Sequence, residues 1–219
     1  MKDNMHRGQI VTATANQSAA NHFHTFFEPR HQLAWLYMRP QPRPCYTPQL
    51  LRGIRMFQQE LIAENDHNAL TPIGYYVLAS SLPGVFNLGG DLELFVKAIE
   101  SGDKARLLVY ARECIDALYP FATGLNQRVT TIALVQGDAL GGGFEAALAA
   151  NVLIAERSAK LGLPEVLFNL FPGMGAYQFL GRKIGPAKAE KLILSGKLYS
   201  AEELFEMGVV DVLAEDGQG

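Results

Sequence analysis

Between Thr131 and Glu156 the chain passes from an apolar, β-branched run (TIALVQ, 131–136) through GDALGGGFEAALAA into a second apolar run, NVLIAE (151–156). Short runs of this kind read as buried strands, and the alanine-rich stretch between them reads as a helix opened by three glycines. Two strands joined by a helix within so short a span lie parallel with a right-handed crossover, which commits the fold to the α/β class. The alternation continues outward on both sides. Leu33–Met38 and Ile73–Ser80 read as strands, and the four prolines of 39–48 force an extended connection. Thr47 and Pro48 supply the cap and first turn of a helix with Leu50, Ile54, Phe57 and Leu61 on one face. Asp103 opens a longer helix whose inward face carries Leu107, Tyr110, Cys114 and Leu118. Helices over 176–184, 187–195 and 201–207 and a last strand near Val209–Leu213 complete the pattern.

The 219 residues are enough for one domain, assigned to 31–219, with 1–30 as a flexible N-terminal arm. A net charge of −3 excludes the basic footprint of a nucleic-acid binder. No run is long and apolar enough for membrane insertion, and the first thirty residues hold no apolar signal segment. Cys45 and Cys114 stand far apart, so free thiols in a reducing, cytoplasmic setting are expected. The His22-x-His24 pair lacks further ligands at useful spacing, so no metal site is expected and the pair is assigned to the arm. No histidine follows His67, so chemistry in the second half rests on carboxylates and backbone groups.

Several familiar sites are missing. The sequence contains no GxSxG elbow, no GxxxxGK loop and no complete dinucleotide fingerprint. What stands out is Gly141-Gly142-Gly143 at a strand-to-helix turn, followed by Phe144-Glu145. Such a run can simply be a loose turn. It can also present bare N–H groups at a helix start, with Glu145 in the first turn beside the positive end of the dipole. A second glycine turn, Asn87-Leu88-Gly89-Gly90-Asp91, offers another N–H, and a thioester enolate needs two. Glu165, set among Leu161, Leu163, Val166, Leu167 and Phe168, has the apolar surroundings that raise a carboxyl pKa. Phe171-Pro172-Gly173-Met174-Gly175 opens one more helix with unpartnered N–H groups. Two carboxylates in different surroundings are the usual means of running acid and base chemistry at neutral pH.

VFNLGGD (85–91), IALVQGDALGGGFEAAL (132–148), LGLPEVLFNLFPGMGA (161–176) and LYSAEELFEMGVVDVL (198–213) together resemble the enoyl-CoA hydratase/isomerase (crotonase) family. The resemblance implies a crotonase-like ββα superhelix. It implies Glu145 and Glu165 as the catalytic pair, Leu88 and Gly142 as oxyanion donors, and Gly89, Gly141 and Gly173 as substrate-binding positions. A narrower resemblance, through GDLELFVKAIESGDKARLLVYARECI, GGGFEAAL and LPEVLFNLFPGMGAY, is to the diffusible signal factor synthases. That implies dehydration of a 3-hydroxyacyl-acyl-carrier-protein to the cis-2-enoyl thioester, then hydrolysis to a free cis-2-unsaturated acid. No cofactor is implied, since the acyl thioester of acyl carrier protein or coenzyme A is the substrate. The alternatives are a catabolic enoyl-CoA hydratase and, in another class, a non-catalytic regulator that binds a sensor histidine kinase. Residues 92–99 are expected to help wall an acyl pocket. The family's C-terminal trimerisation helices are absent from the sequence. A trimer or hexamer is expected of the full-length protein, and a bare apolar surface around Phe179, Leu192 and Phe205 is expected of the 219-residue form.

Overall fold

A computed structural model describes residues 22–67 and 72–219. Among the described residues, ten strands and seven α-helices form two sheets with helices packed around them. The larger sheet contains β1 (Phe23–Glu28), β2 (Leu33–Met38), β3 (Tyr75–Ser80), β5 (Thr130–Val135), β7 (Val152–Glu156) and β10 (Val212–Ala214), in that spatial order. All its pairings are parallel except β1 with β2. The smaller sheet has the order β4 (Val85–Asn87), β6 (Asp138–Leu140), β8 (Lys160–Gly162) and β9 (Leu198–Ser200).

The chain repeats one unit three times. A long strand of the first sheet bends sharply into a short strand of the second, and a helical segment follows. Thus β3 and β4 lead to α2 (Leu92–Glu100) and α3 (Lys104–Ala122), and β5 and β6 lead to α4 (Gly142–Ala149). After β7 and β8 come a 3₁₀ turn (Pro164–Phe168), α5 (Ala176–Ile184) and α6 (Pro186–Ser195). This is the ββα superhelix expected of the sequence. Helix α1 (Pro48–His67) precedes the repeats and α7 (Ala201–Glu206) follows them.

The local signals act where they were read. The Thr47 hydroxyl accepts from the Leu50 N–H at 3.2 Å, and the Asp103 carboxylate accepts from the Arg106 N–H at 2.9 Å. Leu50, Ile54, Phe57 and Leu61 are all buried, as are Tyr110, Cys114 and Leu118. Gln58 ties α1 to α3 by donating to the Ala117 carbonyl at 2.9 Å. Both cysteines are free and buried, and no helix of the described residues is long and apolar enough to cross a membrane.

Three expectations change. Strand β1 lies inside the segment assigned to the N-terminal arm, because alternating Phe23 and Thr25 are buried while β1 pairs along its whole length with β2. His24 therefore stacks on Tyr37 at 4.9 Å, and His22 Nδ1 accepts from the Gln41 N–H at 3.3 Å. The rest of that arm, residues 1–21, lies outside the described residues. The last strand begins at Val212, since Val209 and Val210 are buried in the turn before it. Of the surface expected to be bare, Phe205 is exposed, but Phe179 is half-buried against the core and Leu192 is buried, because α5 packs along α6.

Candidate active site

Strands β4, β6 and β8 are neighbours and run parallel, so the segments that leave their C-terminal ends are brought side by side. These segments are the Leu88–Asp91 loop, the Gly141 turn into α4, and the Leu163–Phe168 turn. Residues as far apart in the sequence as Leu88 and Phe168, 80 positions, thereby line one cavity of about 500 Å³. Ligands of parallel sheets bind at such carboxyl ends. Leu92, Phe95 and Ile99 of α2, Leu107 and Cys114 of α3, and Phe168 and Phe171 make its walls largely apolar. The polar side chains that line it are few, and Glu145 and Glu165 are among them.

Glu145, in the first turn of α4, is 1% exposed. Its Oε1 accepts from the Met174 N–H at 2.7 Å and from the Ala176 N–H at 3.0 Å. The unpartnered N–H groups expected at the start of the 176–184 helix are thus directed at this carboxylate. Burial pushes the Glu145 carboxyl up to about 7, against the pull of those two N–H groups, and the charge of Glu165 adds to the rise. Burial also raises Glu165, although Leu167 and Phe168 beside it are exposed. Leu161 and Leu163 supply the dry side. Glu165 Oε2 is buried with no hydrogen-bond partner among the described residues, which leaves it available to a reacting group.

Gly141 makes this approach possible. Its φ of +53° and ψ of −127° suit glycine, and a Cβ there would stand 2.9 Å from Glu165 Oε1. Gly142, the first residue of α4, has an N–H with no acceptor among the described residues, as the start of a helix requires. Gly142 lines the cavity. Gly173 also lines the cavity.

Two expected positions are engaged differently. The Leu88 N–H donates to the Pro44 carbonyl at 2.8 Å, because the 44–46 segment runs alongside the 88–90 loop, although Leu88 itself lines the cavity. Gly89 is buried against the start of α4, where a Cβ would meet the Gly142 nitrogen at 2.8 Å, and Gly90 lines the cavity in its place. One anchor was not foreseen. The Tyr110 hydroxyl accepts from the Asp91 N–H at 2.9 Å and donates to the Tyr46 carbonyl at 2.6 Å, pinning the loop to α3. Its place on the inward face of α3 was legible, but nothing in the sequence pairs it with Asp91.

The enoyl-CoA hydratase/isomerase family model matches residues 61–217, a span that contains both glutamates and all three ββα units. The chain belongs to that family. It is 36% identical over 182 residues to a probable enoyl-CoA hydratase, echA8, of Mycobacterium leprae, covering 81% of this chain and 64% of the relative. Among solved structures it is similar to Pseudomonas aeruginosa DspI, with 28% identity, a TM-score of 0.79, and coverage of 94% of this chain and 78% of that one. The enoyl-CoA hydratase of Bacillus halodurans follows at 26% identity and a TM-score of 0.75, covering 89% of this chain and 73% of that one. The chain spans less than two thirds of the length of the curated relatives it matches first.

The raised carboxyl gives a stability prediction with a definite sign. An ordinary glutamate titrates near 4.5 and folded Glu145 near 7, so between these values the folded protein holds a proton that the unfolded chain has lost. Stability therefore falls as pH rises through that window and levels above it, by about 3 kcal/mol from this group. Glu145→Gln removes the effect. The melting temperature of the unmodified protein should drop between pH 5 and pH 8, and that of the variant should drop much less. Parallel curves for the two would show that Glu145 is ionised throughout.

Proposed function

We propose that this protein is an acyl-thioester dehydratase and thioesterase of the diffusible-signal-factor-synthase kind, acting on a 3-hydroxyacyl chain of medium length or longer. The observation that carries the reading is the pairing of two desolvated carboxyl groups in one largely apolar cavity. A carboxyl pushed to about 7 holds a proton to give at neutral pH, while an ionised partner can take one. Because the two groups are coupled, the pair titrates as a unit.

In the dehydration, one carboxylate takes the C2 proton and the electron pair moves onto the thioester oxygen as an enolate. The Gly142 N–H is placed to receive that oxygen's charge. The pair then returns to form the C2–C3 double bond as the C3–O bond breaks, and the protonated carboxyl supplies the proton with which water leaves. In the hydrolysis, a water deprotonated by the ionised carboxylate attacks the thioester carbonyl. The C–S bond breaks, the thiol leaves with a proton, and the free cis-2-unsaturated acid is released. Leu92, Phe95, Ile99 and Phe168 would receive the acyl chain. Gly141 keeps Glu165 close to the reacting centre, and Gly173 borders the thioester. Acyl carrier protein as the donor and assembly into a trimer or hexamer belong to the same reading.

A second reading, catabolic enoyl-CoA hydratase, is favoured by the names of the curated relatives. A purely regulatory role, with a sensor kinase as partner, is disfavoured because a binder has no need of a buried and a half-buried carboxyl group facing one cavity. The deciding experiment offers the protein a 3-hydroxyacyl-carrier-protein and the same acyl group on coenzyme A, with mass spectrometry of the products. Preference for the carrier protein and release of a free unsaturated acid is expected. Rapid hydration of crotonyl-CoA with no free acid from either donor would establish the catabolic reading.

A further inference from the structure

Behind the inner wall of the acyl cavity lies a second, much smaller chamber of about 20 Å³, bounded by Tyr46, Ile54, Gln58, Tyr76, Phe121 and Ala146. Cys114 and Met174 line both spaces, so these two side chains are the partition between them. The chamber is far too small for an acyl chain. It exceeds the roughly 10–15 Å³ that a single water needs.

Its wall is mostly apolar, but three buried polar side chains border it. Tyr46 and Gln58 are each 2% exposed and Tyr76 is wholly buried. Tyr46 Oη, Gln58 Oε1 and Tyr76 Oη all lack a hydrogen-bond partner among the described residues. The orientation of the Gln58 amide is set, because its Nε2 donates to the Ala117 carbonyl at 2.9 Å. Its Oε1 therefore requires a donor, while each phenol can donate or accept. Three buried polar atoms left without partners would be destabilising. One water that donates to Gln58 Oε1 and accepts from the two phenols would satisfy all three.

We propose that the chamber is a binding site for one internal water, held by Tyr46, Gln58 and Tyr76. The water fixes the core side of the Cys114–Met174 partition. Met174 is also the residue whose N–H donates to Glu145 at 2.7 Å. The site thus belongs to the scaffold beneath the carboxylate pair and does not depend on which thioester the protein takes.

Crystallography of the unmodified protein, with and without xenon pressure, tests the proposal directly. One peak within hydrogen-bond distance of at least two of the three oxygens, and no xenon in the chamber, is the expected result. A dry chamber that takes xenon would overturn it, and so would direct bonding of Tyr76 to Gln58 with no water. Thermal unfolding supplies a second measurement whose sign decides. If the hydroxyls are bonded to a shared water, Tyr46→Phe and Tyr76→Phe each lower the melting temperature, and the double variant loses less than the sum. If they are unpartnered, each replacement removes a buried unsatisfied group and raises it.

Discussion

Glu145→Gln and Glu165→Gln should each lower turnover by roughly 10²–10⁴, the usual worth of one positioned acid–base group. Glutamine keeps the shape and one carbonyl oxygen, so residue 145 can still accept from the Met174 and Ala176 N–H groups. It cannot exchange a proton near neutral pH. Glu165 Oε2 has no partner to lose, so that replacement should leave the fold intact. The two carboxyl groups act on one substrate, so the double variant should be little slower than the poorer single one. The measurement is turnover on the thioester identified by the donor comparison, alongside circular dichroism. Near-full activity in either single variant would remove that residue from the mechanism.

Gly142→Pro should lower turnover on the order of 10²–10³ relative to Gly142→Ala, as expected for loss of one backbone donor to a developing oxyanion. Proline is suited to the first position of a helix, where it deletes the N–H in question and adds a Cδ beside Gly89. The alanine variant is the control for bulk, since either Cβ would stand 3.0 Å from the Met174 sulfur, at the flexible end of a side chain that can move. Comparing kcat of the two variants, after each is shown to fold, isolates the N–H. Equal rates would place the reacting oxygen away from α4.

Much of the frame could be read along the chain because its signals are local. Leu33–Met38 is a strand within the same bounds, 176–184 is a helix within the same bounds, and the TIALVQ and NVLIAE runs are adjacent parallel strands. Their apolar periodicity, caps and prolines act over a few residues, which a sequence displays. The three-residue strands β4, β6, β8 and β9 are too short to carry a period, and they are stabilised by pairing between distant segments. They were not legible, although they are what assembles the site.

The same division runs through the site. The sequence by itself determined the fold class, the family's motifs and the two glutamates, because glycine turns and an apolar-flanked carboxyl are composed of neighbours in the chain. Only the tertiary structure decided what each group touches. Leu88 N–H is engaged by Pro44, 44 positions earlier, and Glu145 is held by N–H groups 29 and 31 positions later. The proton affinity of Glu145 is set by burial beneath elements that the chain reaches last. Hydrogen-bond partners and desolvation are properties of packing, and packing between distant segments leaves no period or spacing in the sequence from which it could be read.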